Sequence, residues 1–289
     1  MRIIGALLTI VPVVHAFVPL IDGGTDIPKF YKSWFDDQIV KQASTAVEKA
    51  IAAGNKKIEV NFPAVPNVEE AKFGTSLNQK FGTTVVAREL KIAGGYTPGS
   101  DIARNLIAYS NVYWAKKIAP AVGGGLLGGR PVTVVTPEQV NMKQIQSRGA
   151  MSQILSLKMS KGVEVKQGGA LIAINPGGEE TWDRIQSAFG NGSPMVVLNN
   201  AYSTTYGLGN KRGYEEAYFV KRISKGWIFR CFPGPWKAYL EKPDGSCELL
   251  ETYSSKPELN VVATLVRDES FKRYAINNDR WFPGQGQRL

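Results

Sequence analysis

The feature that most constrains the fold is a repeated alternation of helical patterns with short, uniformly apolar runs. Three such runs, "RPVTVVTP" at 130–137, "GALIAINPGG" at 169–178 and "SPMVVLNNAY" at 193–202, have turn residues on both sides. They show no alternation of polar and apolar residues, which is typical of strands buried on both faces of a parallel sheet. Helical patterns follow the first two runs. The sequence therefore predicts an α/β fold with a mainly parallel, Rossmann-like sheet flanked by helices.

An amphipathic helix and a strand precede these runs. Residues 34–53 place Ile39, Ala43 and Val47 on one face, with Ser33 as the N-cap and Gly54 just beyond the end. The strand pattern "KKIEVNFPAVP" follows at once, and two or more helices are predicted between residues 67 and 118. The clearest of these begins at residue 100 or 101, whereas "TTVVAREL" at 83–90 fits either a strand or a continued helix.

After residue 214 the pattern changes to strict alternation, which indicates strands with two different faces. The segments "YFVKRI", "GWIFRCF", "WKAYLE" and "CELLETY" predict a C-terminal antiparallel β-meander, and "PELNVVATLVRDESFKRYAI" predicts a closing helix. A whole strand would separate the two cysteines, Cys231 and Cys247, so we expect two free thiols.

The N-terminus has the pattern of a secretory leader. Arg2 precedes twelve uncharged residues, "IIGALLTIVPVV", and Val14 and Ala16 fit a cleavage site after Ala16. We interpret residues 1–16 as a cleaved signal peptide, with an uncleaved interfacial anchor as the alternative. The remainder is interpreted as a single α/β domain at 33–276 and a C-terminal tail at 277–289, with no linker that indicates a second domain.

Loss of the leader would also remove His15, the only histidine of the chain. A chain without histidine cannot form a Ser-His-Asp or Cys-His nucleophile or the usual zinc sites. Its acid pairs are sequence neighbours, whose side chains diverge on a helix or a strand. We therefore predict no catalytic residue, no metal site and no cofactor, and favour a non-catalytic protein, while catalysis by carboxylates or lysines alone stays open.

Two glycine-containing segments are candidates for a ligand loop. At 207–213 the third glycine lies one residue too late for a dinucleotide fingerprint, and the pattern that follows is that of a strand. "NPGGEETW" at 175–182 lies better, at the end of a strand and the start of a helix, but its two glutamates would repel phosphate. The alternative ligand loop comprises Asn175, Gly177, Gly178, Asn199, Gly207 and Gly209.

The most distinctive feature is basic charge interleaved with aromatic residues in the meander. Seven basic residues but only two acidic ones occur at 206–240. The pattern fits a sheet with one packed aromatic face and one solvated basic face, or a surface for anionic lipid headgroups or acidic protein segments, with nucleic acid less favoured. Our partner-binding hypothesis names Lys211, Arg212, Lys221, Arg222, Lys225, Arg230 and Trp236.

Several segments carry a family resemblance, namely "AVEKAIAAGNKKIEVNFP", "INPGG", "MVVLNNAY" and "GWIFRCFPGPWKAYLEKPDGSCELLETYSSKP". The chain resembles a plastid and cyanobacterial domain-of-unknown-function family that includes the low photosystem II accumulation type of assembly factor. A related domain is fused to a chloroplast adenylate kinase. The resemblance covers about residues 34–276, and its most specific part is an R-x-F-P-x-x-W-x-x-Y core at Arg230, Phe232, Pro233, Trp236 and Tyr239. It carries over no catalytic residue.

The resemblance implies a protein of photosynthesis. The leader, followed by Phe17, resembles the bipartite signal of algae with complex red-lineage plastids, so residues 17–32 are interpreted as a transit-like segment. We expect a soluble protein of the chloroplast stroma, peripherally associated with the thylakoid, that assists photosystem II assembly by contacting photosystem subunits and the insertion machinery. The alternatives are secretion, a stable photosystem subunit, and a nucleotide-binding protein or enzyme that uses the strand-end loops.

Overall fold

The computed structural model describes residues 27, 38–66, 75–124, 129–136, 140, 151–156, 169–178, 181–182, 184–185, 193–201 and 213–275. These residues form one mixed sheet with helices on both sides. Its strands are β1 (Lys57–Asn61), β2 (Val132–Thr136), β3 (Met151–Ser156), β4 (Ala170–Ile174), β5 (Met195–Leu198), β6 (Glu215–Ile223), β7 (Gly226–Cys231), β8 (Trp236–Glu241) and β9 (Cys247–Tyr253). Its helices are α1 (Gln38–Ala52), α2 (Ser76–Phe81), α3 (Arg88–Leu90), α4 (Asp101–Arg104), α5 (Leu106–Gly123) and α6 (Leu259–Ser270).

The sheet has the strand order β3-β2-β4-β5-β1-β6-β7-β8-β9. The strands from β3 to β6 in this order are parallel, and β6 to β9 form an antiparallel meander. This arrangement confirms the predicted α/β class, with a mostly parallel core, a C-terminal antiparallel part and a closing helix. The first strand of the chain, β1, lies between β5 and β6.

The helices follow the apolar patterns of the sequence. In α1 the buried side chains are Ile39, Ala43, Ala46, Val47 and Ala50, at helical spacing. The segment 83–90, whose sequence fits either a strand or a helix, is helical. A π-helical turn at Gly82–Ala87 connects α2 to α3. Ser100 caps α4 by accepting a hydrogen bond from the Ala103 N–H group at 3.3 Å.

The two faces of the sheet are covered differently. On the first face, α1 and α5 pack on the strands, and one continuous apolar cluster runs from Val134 of β2 to Tyr239 of β8. On the second face there are two separate clusters. One packs Trp182 and Ile185 on β2, β4 and β5, and the other packs α6 on β6, β7 and β8. Neighbouring residues of one strand, such as Tyr218 and Phe219, belong to opposite faces, as the alternation of a strand requires.

The structure tests the predicted strand boundaries and the predicted state of the two cysteines. The meander strands lie within two residues of the predicted boundaries except at the start of β6, and β8 separates the free thiols Cys231 and Cys247, as expected. Strand β3 was not predicted. The leader at 1–16, most of the segment at 17–32 and the tail at 277–289 lie outside the described residues, as does most of the predicted helices at 138–148 and 179–190. None of the described helices is both long and apolar enough to cross a membrane.

Candidate functional site

Asparagines lie where β1, β4 and β5 end, along one edge of the parallel sheet. Asn61 is the last residue of β1, Asn175 follows β4, and Asn199 and Asn200 follow β5. Asn175 and Asn199 have positive φ angles of 38° and 48°. Asparagine tolerates this left-handed backbone better than other residues with a side chain, so these positions end the strands and turn the chain.

Hydrogen bonds join the three strand ends. The Asn200 side chain is fully buried; its Oδ1 accepts from the Gly177 N–H group at 3.1 Å, and its Nδ2 donates to the Gly177 carbonyl at 3.0 Å. The Asn200 N–H group donates to Asn61 Oδ1 at 3.1 Å, and the Ala201 N–H group donates to Asn175 Oδ1 at 3.2 Å. The ends of β1, β4 and β5 are therefore held in one fixed arrangement.

Asn199 connects the same edge to the first face. Its Oδ1 accepts from the Phe62 N–H group at 2.9 Å, and its Nδ2 donates to Asn111 Oδ1 on α5, also at 2.9 Å. Of the predicted ligand loop, Asn175, Gly177 and Asn199 thus meet at one edge, and Gly178 follows Gly177 directly. The other two members, Gly207 and Gly209, lie outside the described residues.

The chain diverges at this edge. After β1 it leads to the helices of the first face, whereas after β4 it places Trp182 and Ile185 on the second face. In open α/β sheets, ligands bind outside the carboxyl ends of the strands where successive connections go to opposite sides. The asparagine edge therefore has the position of a ligand site.

Buried acidic groups lie next to this edge on the second face. Glu59 of β1 and Glu216 of β6 are paired in the strand register and are 0% and 1% exposed. Glu59 Oε1 accepts a hydrogen bond from Asn61 Nδ2 at 2.6 Å. These carboxylates lie between the two apolar clusters of the second face. The sequence analysis considered only acids that are neighbours in the chain, whose side chains diverge. Glu59 and Glu216 instead pair across two strands, so no local sequence pattern indicates this pair.

Lys256 neutralises Glu216 from the segment that precedes α6. Its Nζ binds Glu216 Oε1, and the lysine side chain is only 11% exposed. The amine also lies 4.8 Å from the ring centre of Phe219 and 5.4 Å from that of Trp236. Burial raises the pKa of Glu216, while Lys256 and then Arg230 lower it in part. The result is a charged group enclosed by aromatic rings and strands.

Arg230 forms the second ion pair of this region. Its Nη2 lies 2.8 Å from Glu215 Oε1, and its Nη1 donates to the Glu216 carbonyl oxygen at 3.0 Å. The guanidinium lies 5.3 Å from the ring centre of Trp236 and 5.9 Å from that of Phe232. Trp236 is 2% exposed and packs under α6. The core of the family resemblance therefore forms a packed corner of the meander.

The other predicted partner-binding residues lie on different sides. Lys221 is opposite Ile228 on the second face, and Arg222 is opposite Trp227 on the first face, where it lies 3.3 Å from Glu241. Burial and the nearby Lys256 lower the pKa of Lys221.

The β6–β7 turn carries Lys225, whose pKa is lowered first by burial and then by Arg222. Lys225 and Arg222 are thus neighbours, whereas Lys211 and Arg212 lie outside the described residues.

The meander and α6 also contain many acids. The residues 213–275 carry ten basic and nine acidic side chains, a net charge of +1. Acids of β8 and β9 form ion pairs with cations, as in Arg222 with Glu241 and Lys242 with Glu248. Within the part of the chain that the structure describes, no group of three or more His, Cys, Asp or Glu residues could hold a metal ion.

The fold and these sites define an α/β protein with a mixed sheet and a polar edge at the ends of its parallel strands. The model of a family described as a domain of unknown function (DUF1995) matches residues 36–264, and the chain belongs to this family. No curated protein and no solved structure matches it.

Proposed function

We propose that this chain is a non-catalytic plastid protein that assists photosystem II assembly by binding photosystem subunits or the thylakoid surface. Its membership in the DUF1995 family and the resemblance of its Arg230 to Tyr239 core to a plastid assembly factor support this proposal. The proposed setting is the stroma, with import through a bipartite signal and contact with new photosystem subunits and the insertion machinery.

The observation that carries the proposal is the internal pairing of the charged groups at the candidate site. Lys256 binds Glu216, and Arg230 binds Glu215, within a packed corner under α6. A general acid or base must instead reach the substrate and exchange a proton with it. These residues stabilise a rigid scaffold, and on that scaffold Lys211, Arg212, Lys221, Arg222 and Lys225 are the cations proposed to meet an anionic partner.

Affinity purification of the tagged chain from plastids, followed by mass spectrometry, tests the proposal. We expect enrichment of photosystem II subunits and of insertion-machinery proteins. The double variant Lys221→Glu/Lys225→Glu should lose these partners. The matched control is Arg267→Glu on α6 with Lys272→Glu in the turn that follows it, which makes the same change in net charge at two exposed positions. Recovery without photosystem proteins, or equal recovery with both variants, would contradict the proposal.

A nucleotide-binding protein or enzyme is the second candidate. It is favoured by the position of Asn175, Gly177 and Asn199 at the strand ends where the chain diverges. Calorimetric titration of the purified chain with ATP, GTP and NAD(P) separates the two candidates. Tight binding that Asn200→Ala abolishes would support the second candidate, whereas no binding heat with any nucleotide would exclude it for these ligands.

A further inference from the structure

The positive charge of the described chain is concentrated on the helices of the first face. Residues 75–124, which run from α2 to the end of α5, carry six basic and two acidic side chains, a net charge of +4. The longer stretch 213–275, with the meander and α6, has a net charge of only +1. The helical stretch, and not the meander, is therefore the more cationic of these two surfaces.

Three lysines of this stretch lie near Glu89 or near one another, and Arg88 is next to Glu89 in the chain. Lys117 Nζ lies 3.2 Å from Glu89 Oε2, and Lys116 Nζ donates to the Glu89 carbonyl oxygen. Lys91 and Lys117 are close enough to Lys116 to lower its pKa, after the larger effect of burial. Arg88 precedes Glu89 in the chain. We name Arg88, Lys91, Lys116 and Lys117 the basic cluster, which retains a net charge of +3 with Glu89 included.

The basic cluster is exposed at Arg88 and Lys91 and half-buried at Lys116 and Lys117. Most of α5 is buried, and the stacked rings of Phe81 and Trp114, with centres 6.1 Å apart, pack α2 on it. Arg88 and Lys91 are exposed, at the end of the helical run that covers α5. The cations therefore come from α3, from the residue after it and from α5, and they present charge on the outer side of this layer.

We propose that the basic cluster docks the protein on an anionic lipid surface. Three of its four members are lysines, which act as compact point charges and suit a diffuse negative surface potential, whereas recognition of single carboxylates favours the planar fork of arginine. The inference rests on the proposed function, which supplies the membrane, the thylakoid. It adds a membrane-binding surface to a protein whose meander is proposed to bind photosystem subunits.

Flotation of the purified full chain with vesicles of phosphatidylcholine, with and without phosphatidylglycerol, tests the inference. We expect binding that needs the anionic lipid and decreases as salt increases. Arg88→Glu/Lys91→Glu should weaken it by about tenfold or more, since each basic residue near such a surface contributes about a fivefold factor. Lys116 and Lys117 are kept because both contact Glu89.

The control variant is Arg267→Glu/Lys272→Glu, which makes the same change in net charge on α6 and just after it and should keep most of the binding. Any contribution of the apolar leader is the same in both variants, and circular dichroism checks that both fold. Equal loss in both variants, or undiminished binding of Arg88→Glu/Lys91→Glu, would overturn the inference. Loss of protein partners from plastid extracts with unchanged vesicle binding would overturn it too, by showing that the cluster serves a protein.

This experiment contains only protein and lipid, so it is independent of photosystem capture. If vesicle binding fails while photosystem subunits are still captured, the inference fails and the proposed function stands. If vesicle binding succeeds without capture, the proposed function fails and the lipid-binding surface stands.

Discussion

The two faces of the sheet differ in how their apolar and ionisable side chains are buried. The first face packs one continuous apolar cluster under α1 and α5, and its ion pair between Arg222 of β6 and Glu241 of β8 lies in the meander part of the sheet. The second face has two apolar clusters, and the ionisable side chains of Glu59, Glu216 and Lys256 lie between them. The same strands therefore support a continuous apolar core on one side and enclose buried ionisable groups on the other. The second face should be the more sensitive to the loss of single polar partners.

The largest expected effect is on the buried ion pair of the second face. Lys256→Met keeps most of the side-chain volume but leaves Glu216 buried without its cation, so we expect the free energy of unfolding to fall by about 3–5 kcal/mol. Urea denaturation measures it. The matched change on the first face is Lys117→Met, whose ion pair with Glu89 is about 30% exposed on both sides. There we expect a loss below about 1 kcal/mol. Equal losses at the two positions would remove the contrast between the faces.

The pH dependence of Lys256→Met gives a sharper form of the same test. Burial already raises the pKa of Glu216, and removal of the lysine should raise it further. A carboxyl group whose pKa is higher in the folded than in the unfolded state lowers the stability of the folded protein at pH values above its folded-state pKa. It has no such effect at pH values below its unfolded-state pKa. The stability lost in Lys256→Met should therefore be regained as the pH falls from neutrality towards the ordinary pKa range of a glutamic acid, and a constant loss would contradict the assignment to Glu216.

The next effect concerns how closely β8 and α6 pack around Gly226 of β7. A Cβ atom on Gly226 would lie 2.0 Å from the Tyr239 carbonyl oxygen and 2.8 Å from a methyl group of Val266. Gly226→Ala should therefore lower the free energy of unfolding by about 3 kcal/mol. Gly178→Ala is the control, because a Cβ there meets nothing within 4 Å. A thermal melting temperature of Gly226→Ala equal to that of the control would refute the packing argument.

A smaller effect is expected for Asn199, which ties the strand ends to the first face. Asn199→Ala removes the acceptor of the Phe62 N–H group and the donor to Asn111, so we expect a loss of about 2 kcal/mol. Asn111→Ala and the double variant complete a mutant cycle. The coupling energy should be at least about 0.5 kcal/mol, and strictly additive losses would show that the two amides do not stabilise each other.

The smallest effect is kinetic and concerns Cys247, which packs at the margin of the first-face cluster. Burial, with smaller contributions from Glu241 and Asp244, raises the pKa of its thiol to about 12. Only the thiolate is nucleophilic, so Cys247 should alkylate very slowly at neutral pH in the native protein and rapidly after unfolding. Mass spectrometry of the peptide that contains Cys247 measures both rates, and similar rates would place this thiol in solvent.

Local patterns in the sequence predict most of the fold. The uniformly apolar runs at 132–136, 170–174 and 195–198 could only be buried parallel strands or helix pieces, and their flanking turn residues decided for strands. Strand β3, "MSQILS", went unpredicted because its mixed composition resembles neither a buried nor an alternating strand. It is an edge strand, and only its pairing with β2 identifies it.

The candidate site is less predictable because its contacts join distant parts of the chain. Lys256 and Glu216 are 40 residues apart, and the pairing of Glu59 with Glu216 requires the register of β1 beside β6. The excess of basic residues at 206–240 is followed by acids of β8 and β9, such as Glu241 and Glu248, that neutralise part of this positive charge. Strand ends with asparagine were visible in the sequence; which asparagine bonds which loop was not.

The central position of β1 also bears on how the chain folds. Both neighbours of β1 in the sheet, β5 and β6, begin more than 130 residues later in the sequence. Contacts of such long range form slowly, because the entropy of closing a long loop must be overcome first. During synthesis, the strand partners of the apolar residues Ile58 and Val60 are therefore absent until the last third of the chain begins to emerge. Until then the apolar side chains of β1 lack their packing partners, which favours aggregation of the incomplete chain.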